Sequence, residues 1–322
     1  MATNILSYLK EEISQIDKAL ADEQIAQHPF INQVSEYVIF AGGKRIRPLL
    51  CVLSGKAVNP ALSKEIYRTS LLFEYLHAAT LLHDDVVDSA EFRRGRKAAR
   101  KLWGNQATIL VGDYLFAKAF KMASHLKNLE IMDTLTETTL LLSEGEVLQL
   151  LHLDDTELSE EKYYEIIFRK TAVLMACSCK VGALLGGAPV NLAEKFFHYG
   201  HFLGMSFQIV DDLLDYLGTE TGKDRGKDFK EGKITLPVIL ALQSATPEEK
   251  DELLYLLKAK KVGKKDFERA FSLIEKNQGF LKSLEKAKDF INKAKEFLRE
   301  VPSSTSKEAL LFICDYLLER KK

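Results

Sequence analysis

Apolar residues recur along almost the whole chain at the three-and-four spacing of an amphipathic helix, and convincing alternating runs of strand type are absent. The pattern predicts one or two amphipathic helices across residues 4–40, broken near His28-Pro29, and then a turn at Ala41-Gly42-Gly43. Pro48 opens the next helix, where proline is tolerated because first-turn amides have no intrahelical partner. After a break at Asn59-Pro60, helices are expected over 63–89, 107–125 and 129–152, the last followed by an acidic turn through Asp154-Asp155. Residues 159–186 read as a helix stopped by Gly186-Gly187-Ala188-Pro189, and 191–217 as another. From 218 to 233 glycines alternate with lysines and acids in a polar loop, and loops that long inside a compact domain are often functional. Helix resumes after Pro237, with an exposed basic turn at 258–265 that reads as solvated surface.

No linker, low-complexity tract or short-period repeat divides the chain, so residues 1–322 read as one all-α domain. Seven prolines and 18 glycines are few for this length, which favours long uninterrupted helices. A hydrophobic content of 46 % supplies a substantial core. The net charge of −1 gives no electrostatic case for nucleic acid or an anionic membrane as partner. Cys51, Cys177, Cys179 and Cys314 show no zinc-type spacing and read as buried free thiols of a reducing, cytoplasmic setting. Residues 1–18 are amphipathic and carry acids, unlike a signal peptide, and no stretch approaches 18 apolar residues, so no integral membrane segment is expected.

The chemistry lies in two acidic clusters of identical spacing, Asp84-Asp85-Val86-Val87-Asp88 and Asp211-Asp212-Leu213-Leu214-Asp215, each set in an apolar helical stretch. Residues i and i+4 share a helix face, so Asp84 with Asp88 and Asp211 with Asp215 each form a carboxylate claw. Like charges held that closely call for a cation. Hard oxygen ligands suit Mg²⁺, which completes its shell with water and substrate phosphate. Two such claws facing each other across a cavity would hold a diphosphate. Solvated acidic faces explain one such cluster readily, but not two flanked by long apolar runs. His83-Asp84 resembles the pair of a metal phosphohydrolase, yet the companion ligands such a site needs are not evident.

Basic groups gather nearby in sequence. Lys44, Arg45 and Arg47 follow Gly42-Gly43 in a tight turn, and Arg93-Arg94 lie just past the first cluster with guanidinium forks suited to phosphate. Lys170-Thr171 and Gln208 interrupt otherwise apolar helical segments. Cations at Lys44, Arg47 and Arg94 would bind a second diphosphate without metal. One metal-activated diphosphate beside a metal-free one suggests leaving-group chemistry in a dry pocket.

These residues resemble the trans-isoprenyl diphosphate synthases, or polyprenyl synthetases. The likeness rests on GGKRIRP at 42–48, LLHDDVVD at 81–88 with RRG at 93–95, Lys170-Thr171, FQIVDDLLD at 207–215, GKDRGKD at 222–228 and GKITLP at 232–237. It implies an all-α fold, a single large helical bundle of isoprenoid synthase type around a deep central cavity. It further implies that Lys44, Arg47, His77 and Arg94 bind isopentenyl diphosphate. Asp84 and Asp88, with Asp211 opposite and Asp215 supporting, would hold about two or three Mg²⁺ ions on the allylic diphosphate. Asp85 and Asp212 belong to the same catalytic set. Arg93, Lys170, Lys223 and Lys233 would contact that diphosphate, and Thr171 and Gln208 would stabilise the allylic cation. A homodimer is implied, with the apolar 107–125 helix able to supply the interface, and a transient membrane contact for product release.

Product length is read before Asp84. Short-chain relatives typically place an aromatic floor four or five residues upstream, and here those positions are Thr80 and Ala79, with Leu76 a turn deeper. The missing floor favours a long product like that of octaprenyl diphosphate synthases, its limit set deeper by Phe116, Phe120 or Met122. A short-chain farnesyl or geranylgeranyl synthase is the alternative. A terpene cyclase would lack the second DDxxD and the 42–48 turn. A regulatory subunit of a heteromeric synthase would have a degraded cluster, and a helical scaffold leaves the ordered motifs unexplained.

Overall fold

The computed structural model describes residues 2–218, 225–258 and 263–319. The first helices are α1 (Ala2–Asp22), α2 (Pro29–Ile39), α3 (Ile46–Val58) and α4 (Glu65–Val87). A two-residue-per-strand hairpin, β1 (Phe92–Arg93) and β2 (Arg96–Lys97), precedes α5 (Ala99–His125) and α6 (Leu129–Leu151). Then follow α7 (Glu160–Ile167), a π-helical turn (Phe168–Ala172), α8 (Val173–Leu185) and α9 (Val190–Leu217). Past 224 come α10 (Lys227–Lys230), α11 (Leu236–Ser244), α12 (Pro247–Leu257), α13 (Lys264–Lys276), α14 (Gly279–Phe297) and α15 (Thr305–Glu319). The fold is all-α. None of the described helices is long and apolar enough to cross a membrane.

Three expected elements differ in detail. The helix expected to begin at 107 starts at Ala99, because Gly104 (φ 81°, ψ 164°) kinks it and breaks the apolar period that a sequence reader follows. The polar loop contains the short helix α10, anchored by an aspartate described below. The helix expected over 159–186 is interrupted at Lys170-Thr171 by the π turn. Of the basic stretches, Lys260, Lys261 and Arg320-Lys321-Lys322 lie outside the described residues.

Contacts divide the chain into two compact units. The first comprises Met1–Glu137, Cys177–Phe196 and Val301–Leu310. Its axis is α4, which packs against α1, α2, α3 and α5 and buries residues on nearly every side, from Ile66 through Phe73 and Leu76 to Leu82. A helix so enclosed must pair its buried polar groups. Glu74 does so with Arg45 Nη1 at 2.5 Å, and the same guanidinium donates to the Ile39 carbonyl at 2.9 Å and to Asp17 at 3.1 Å. Arg45 is therefore committed to structure, and removing one partner of such a pair costs about 3–5 kcal/mol. Farther along, Lys56 donates to Glu12 at 2.6 Å and to Tyr67 at 2.7 Å, fastening α1 to α3 and α4. Cys51, Cys177 and Cys179 are buried free thiols here, as Cys314 is in the other unit.

The second unit comprises Thr138–Ala176, Phe197–Glu300 and Leu311–Lys322. Its core runs from Tyr163 and Ile167 through Ile209, Leu213 and Tyr216 to residues of α11, α13 and α14. Helix α7 starts on Ser159, whose side chain accepts from the Lys162 amide at 3.2 Å, and α12 on a Thr246–Glu249 capping box. The π turn occupies a tight backbone crossing. A Cβ at Gly145 would sit 2.7 Å from the Lys170 nitrogen, and one at Gly204 would sit 2.5 Å from the Ala172 Cα. Such bulges displace side chains from the regular helical track and often mark functional sites.

Candidate active site

In the first unit, the acidic cluster closes α4. Asp88 is its C-cap, with the backbone amide donating to the Asp84 carbonyl at 2.8 Å. One turn apart, Asp84 is half-buried and Asp88 exposed, whereas Asp85, rotated by roughly 100°, is only 1 % exposed. Asp85 accepts from Nε of Arg93 on the hairpin. It therefore aims a guanidinium rather than standing beside the other two carboxylates.

Two turns earlier on α4 stands His77, among arginines. Burial, and then the charges of Arg47, Arg94, Arg93 and Arg45, hold its pKa well below the usual imidazole range, so the ring is neutral. Arg47 is pushed down to about 10, chiefly by burial; Glu74 favours its charge and Arg94 opposes it. Arg94, in the hairpin turn with φ 50°, is lowered by burial, with Arg93 and Arg45 opposing its charge and Glu74 favouring it. Glu74 is already bonded to Arg45, and the buried Nε of Arg47 has no hydrogen-bond partner among the described residues. Among the described residues Arg47 and Arg94 form no ion pair, and an orphaned buried donor costs about 1–3 kcal/mol until an acceptor arrives. Lys44 is exposed at the head of the same turn.

In the second unit, a chain of hydrogen bonds crosses the other cluster. Tyr163 donates to Asp212 Oδ2 at 2.6 Å, Gln208 Nε2 donates to Asp212 Oδ1 at 2.7 Å, and Thr171 donates to Gln208 Oε1 at 2.8 Å. Asp212, 4 % exposed, is thus the counterpart of Asp85: the middle aspartate of each cluster turns inward and orients a neighbour. Burial, and then repulsion from Asp228, raise its pKa well above the carboxylate range, against the two donated hydrogen bonds. Asp228 is raised to about 6 by burial and then Asp215, with Lys233 opposing. Asp215 accepts from the amides of Lys227 at 3.2 Å and Asp228 at 3.1 Å, so it fixes the start of α10. Asp211 is half-buried.

Lys170, Thr171, Gln208, Asp212, Asp228 and Lys233 line one cavity of about 140 Å³ within this unit. Both lysines carry an acidic partner, Lys170 with Glu146 at 2.8 Å and Lys233 with Glu231 at 2.9 Å. Lys223 lies outside the described residues. Of the length-determining positions, Leu76 and Ala79 are buried and half-buried Thr80 donates to the His77 carbonyl at 2.8 Å. Phe116 stacks on His83 with centroids 5.8 Å apart, beside the first cluster. Tyr163, Glu146, Glu231 and Glu74 were not singled out by sequence, since a lone tyrosine or glutamate in a helix has no motif. Asp228 was inside a quoted motif but carried no assigned role.

The acidic residues fit Mg²⁺. Their donors are hard oxygens, and carboxylates crowd there: after burial, repulsion from Asp228 raises Asp212 and repulsion from Asp215 raises Asp228. No three His, Cys, Asp or Glu side chains among the described residues already form a closed ligand set. A cation held by one or two carboxylates, waters and substrate phosphate needs none.

An all-α chain with two aspartate clusters of one spacing, arginines gathered around His77 and a polar cavity suits an enzyme that handles diphosphates. A sequence model of the family described as Polyprenyl synthetase matches residues 28–274, and the chain belongs to that family. Octaprenyl diphosphate synthase of Escherichia coli is 32 % identical over 97 % of this chain and 97 % of its own length. A decaprenyl diphosphate synthase from Rhodobacter capsulatus superposes with a TM-score of 0.91 at 35 % identity, covering 100 % of both chains. The geranylgeranyl pyrophosphate synthetase of Pyrococcus horikoshii superposes at 0.90 with 29 % identity, covering 99 % of both. The protein is a polyprenyl diphosphate synthase.

Proposed function

We propose that the protein is a long-chain, all-trans, Mg²⁺-dependent synthase that adds isopentenyl diphosphate repeatedly to an allylic diphosphate such as farnesyl diphosphate. An octaprenyl-length product for quinone side chains is the reading. The observation that carries the two-substrate part is the cation cluster around neutral His77, with the buried Nε of Arg47 that has no partner among the described residues. A synthase with a second, metal-free diphosphate needs such a site, and a cyclase does not.

In this reading Lys44, Arg47, His77 and Arg94 hold isopentenyl diphosphate, with neutral His77 donating one hydrogen bond. Asp84, Asp88, Asp211 and Asp215 supply oxygen ligands to Mg²⁺, which when bound neutralises charge on departing pyrophosphate. Arg93, aimed by Asp85, and Lys170, Lys223 and Lys233 bind the allylic diphosphate. The Tyr163–Asp212–Gln208–Thr171 chain fixes the Thr171 and Gln208 dipoles beside the allylic carbon, where they stabilise positive charge as the carbon–oxygen bond breaks. The alkene attacks that carbon, and the resulting cation loses a proton to the departed pyrophosphate. One catalytic domain, a cytoplasmic setting and a homodimer complete the proposal. Exposed Leu102, Ile109 and Leu110 on α5 support an apolar subunit contact.

For product length, fully buried Ala79 and the small Thr80 support a tail passing beyond that level. Phe116 stacks on His83 near the aspartates, which leaves Phe120 and Met122 as the better candidates for a deeper floor. Asp84→Ala and Asp211→Ala test the chemistry in a radiolabelled condensation assay. Each is expected to lower turnover by about a thousandfold or more; near-normal rates in either would overturn the assignment.

A further inference from the structure

We propose that His152 is a substrate-binding residue, oriented by Asp155, whose Nε2–H donates to an oxygen of the allylic diphosphate; this rests on the reading of the second-unit cavity given above. His152 follows the last residue of α6, its amide bonded to the carbonyls of Leu148 and Gln149, both at 3.2 Å. It lines the same cavity as Lys170, Thr171, Gln208 and Lys233. Its Nδ1 lies 2.7 Å from Asp155 Oδ2, while Asp155 Oδ1 accepts from the Glu157 amide at 3.1 Å. The carboxylate is thus held by backbone and fixes the ring. With Nδ1 the donor to Asp155, Nε2 is the nitrogen left for a ligand; it has no hydrogen bond among the described residues, and it donates from the imidazolium form, whose charge Asp155 and the diphosphate both balance.

The turn bearing His152 is also fastened to the loop bearing Lys233. The Asp154 amide donates to the Gly232 carbonyl at 2.9 Å. Gly232 has φ 74°, and a Cβ there would lie 2.0 Å from the Asp154 carboxylate. Two anion donors, one on each side of this junction, therefore keep a fixed relation across the cavity wall. They differ in what competes for them. The Lys170 and Lys233 ammonium groups are already bonded to Glu146 and Glu231, whereas His152 gives its second nitrogen to Asp155 and can donate through Nε2 without breaking an ion pair. Imidazole is a poor ligand for Mg²⁺, so a phosphate oxygen rather than the metal is the expected acceptor.

The test compares His152→Ala, His152→Asn, His152→Gln and Asp155→Ala in the full-length protein, because a Gln amide nitrogen reaches the place of Nε2 and an Asn amide only that of Nδ1. Steady-state kinetics gives KM separately for farnesyl diphosphate and isopentenyl diphosphate, and calorimetry with Mg²⁺ and inorganic pyrophosphate reads the anion directly. The Ala and Asn variants should raise the allylic KM and weaken pyrophosphate by about tenfold to a hundredfold. The Gln variant should stay within about threefold of wild type, Asp155→Ala should fall between, and KM for isopentenyl diphosphate should not move. The proposal is overturned if Gln fails as Asn does, if both KM values rise together, or if the allylic KM is unchanged in all four. Should the wild-type chain not condense the two substrates, the proposed function falls, while the pyrophosphate titrations still decide the role of His152.

Discussion

Removing one oxygen, by Tyr163→Phe, probes the device that positions Thr171 and Gln208. The ring stays, so no cavity opens, and the change isolates the 2.6 Å hydrogen bond to Asp212. Asp212 is buried and repelled by Asp228, and it would retain the bond from Gln208 at 2.7 Å. The Tyr163 bond favours the charged carboxylate, so its loss drives the Asp212 pKa still higher and weakens the acceptor of Gln208. A bond of this kind contributes roughly 1 kcal/mol with a neutral acceptor and about 1.5–3 kcal/mol with a charged one. We therefore expect about 1–2 kcal/mol lower stability by urea unfolding and about a tenfold fall in kcat/KM for the allylic substrate. KM for isopentenyl diphosphate should be unchanged. Because Tyr163 and Gln208 meet on one carboxylate, Tyr163→Phe and Gln208→Ala should be coupled by about 0.5–3 kcal/mol in a double-mutant cycle. Additive effects, with full activity in Tyr163→Phe, would refute the claim that the relay positions the Thr171 and Gln208 dipoles.

Two further outcomes are expected. A carboxyl raised in the folded state stabilises the fold fully below its unfolded pKa, near 4, and that contribution is lost as pH rises through the folded value, about 6 for Asp228. Metal-free protein should thus lose on the order of 2 kcal/mol from this group between those limits, with Asp212 adding in the same direction. The share due to Asp228 should disappear in Asp228→Asn by urea midpoints, leaving the part from Asp212, and an identical slope in the variant would contradict the assignment. Ala79→Tyr should shorten the product by plugging the path beyond Thr80, and an unchanged product spectrum in chromatography would show that the tail takes another route.

The helical period revealed the fold class, since almost every turn repeats the same apolar stripe, and the repeated aspartate spacing revealed both clusters. What stayed hidden depends on direction rather than on composition. Asp84, Asp85 and Asp88 are alike in sequence, yet only the rotation between adjacent helical positions sends Asp85 inward to Arg93. The sequence assigns Lys44 and Arg47 of the 44–47 turn to a diphosphate and leaves Arg45 without a role, and only folding brings Arg45 to Glu74. The π turn at 168–172 is set by close backbone approach at Gly145 and Gly204, residues distant along the chain, so no local pattern announces it. Gly104 concealed the first turns of α5 because its kink resets the helical phase. Tyr163 and His152 gained meaning only from the partners that folding brought to them.

The most direct measurement is mass spectrometry of the products formed when the purified chain alone is given farnesyl diphosphate, excess isopentenyl diphosphate and Mg²⁺. The account predicts a ladder of five-carbon additions ending near the octaprenyl length of its Escherichia coli relative. A stop at the geranylgeranyl length would keep the chemistry and refute the missing floor at Ala79 and Thr80. No condensation at all would contradict the central claim and point instead to a subunit that needs a partner to act.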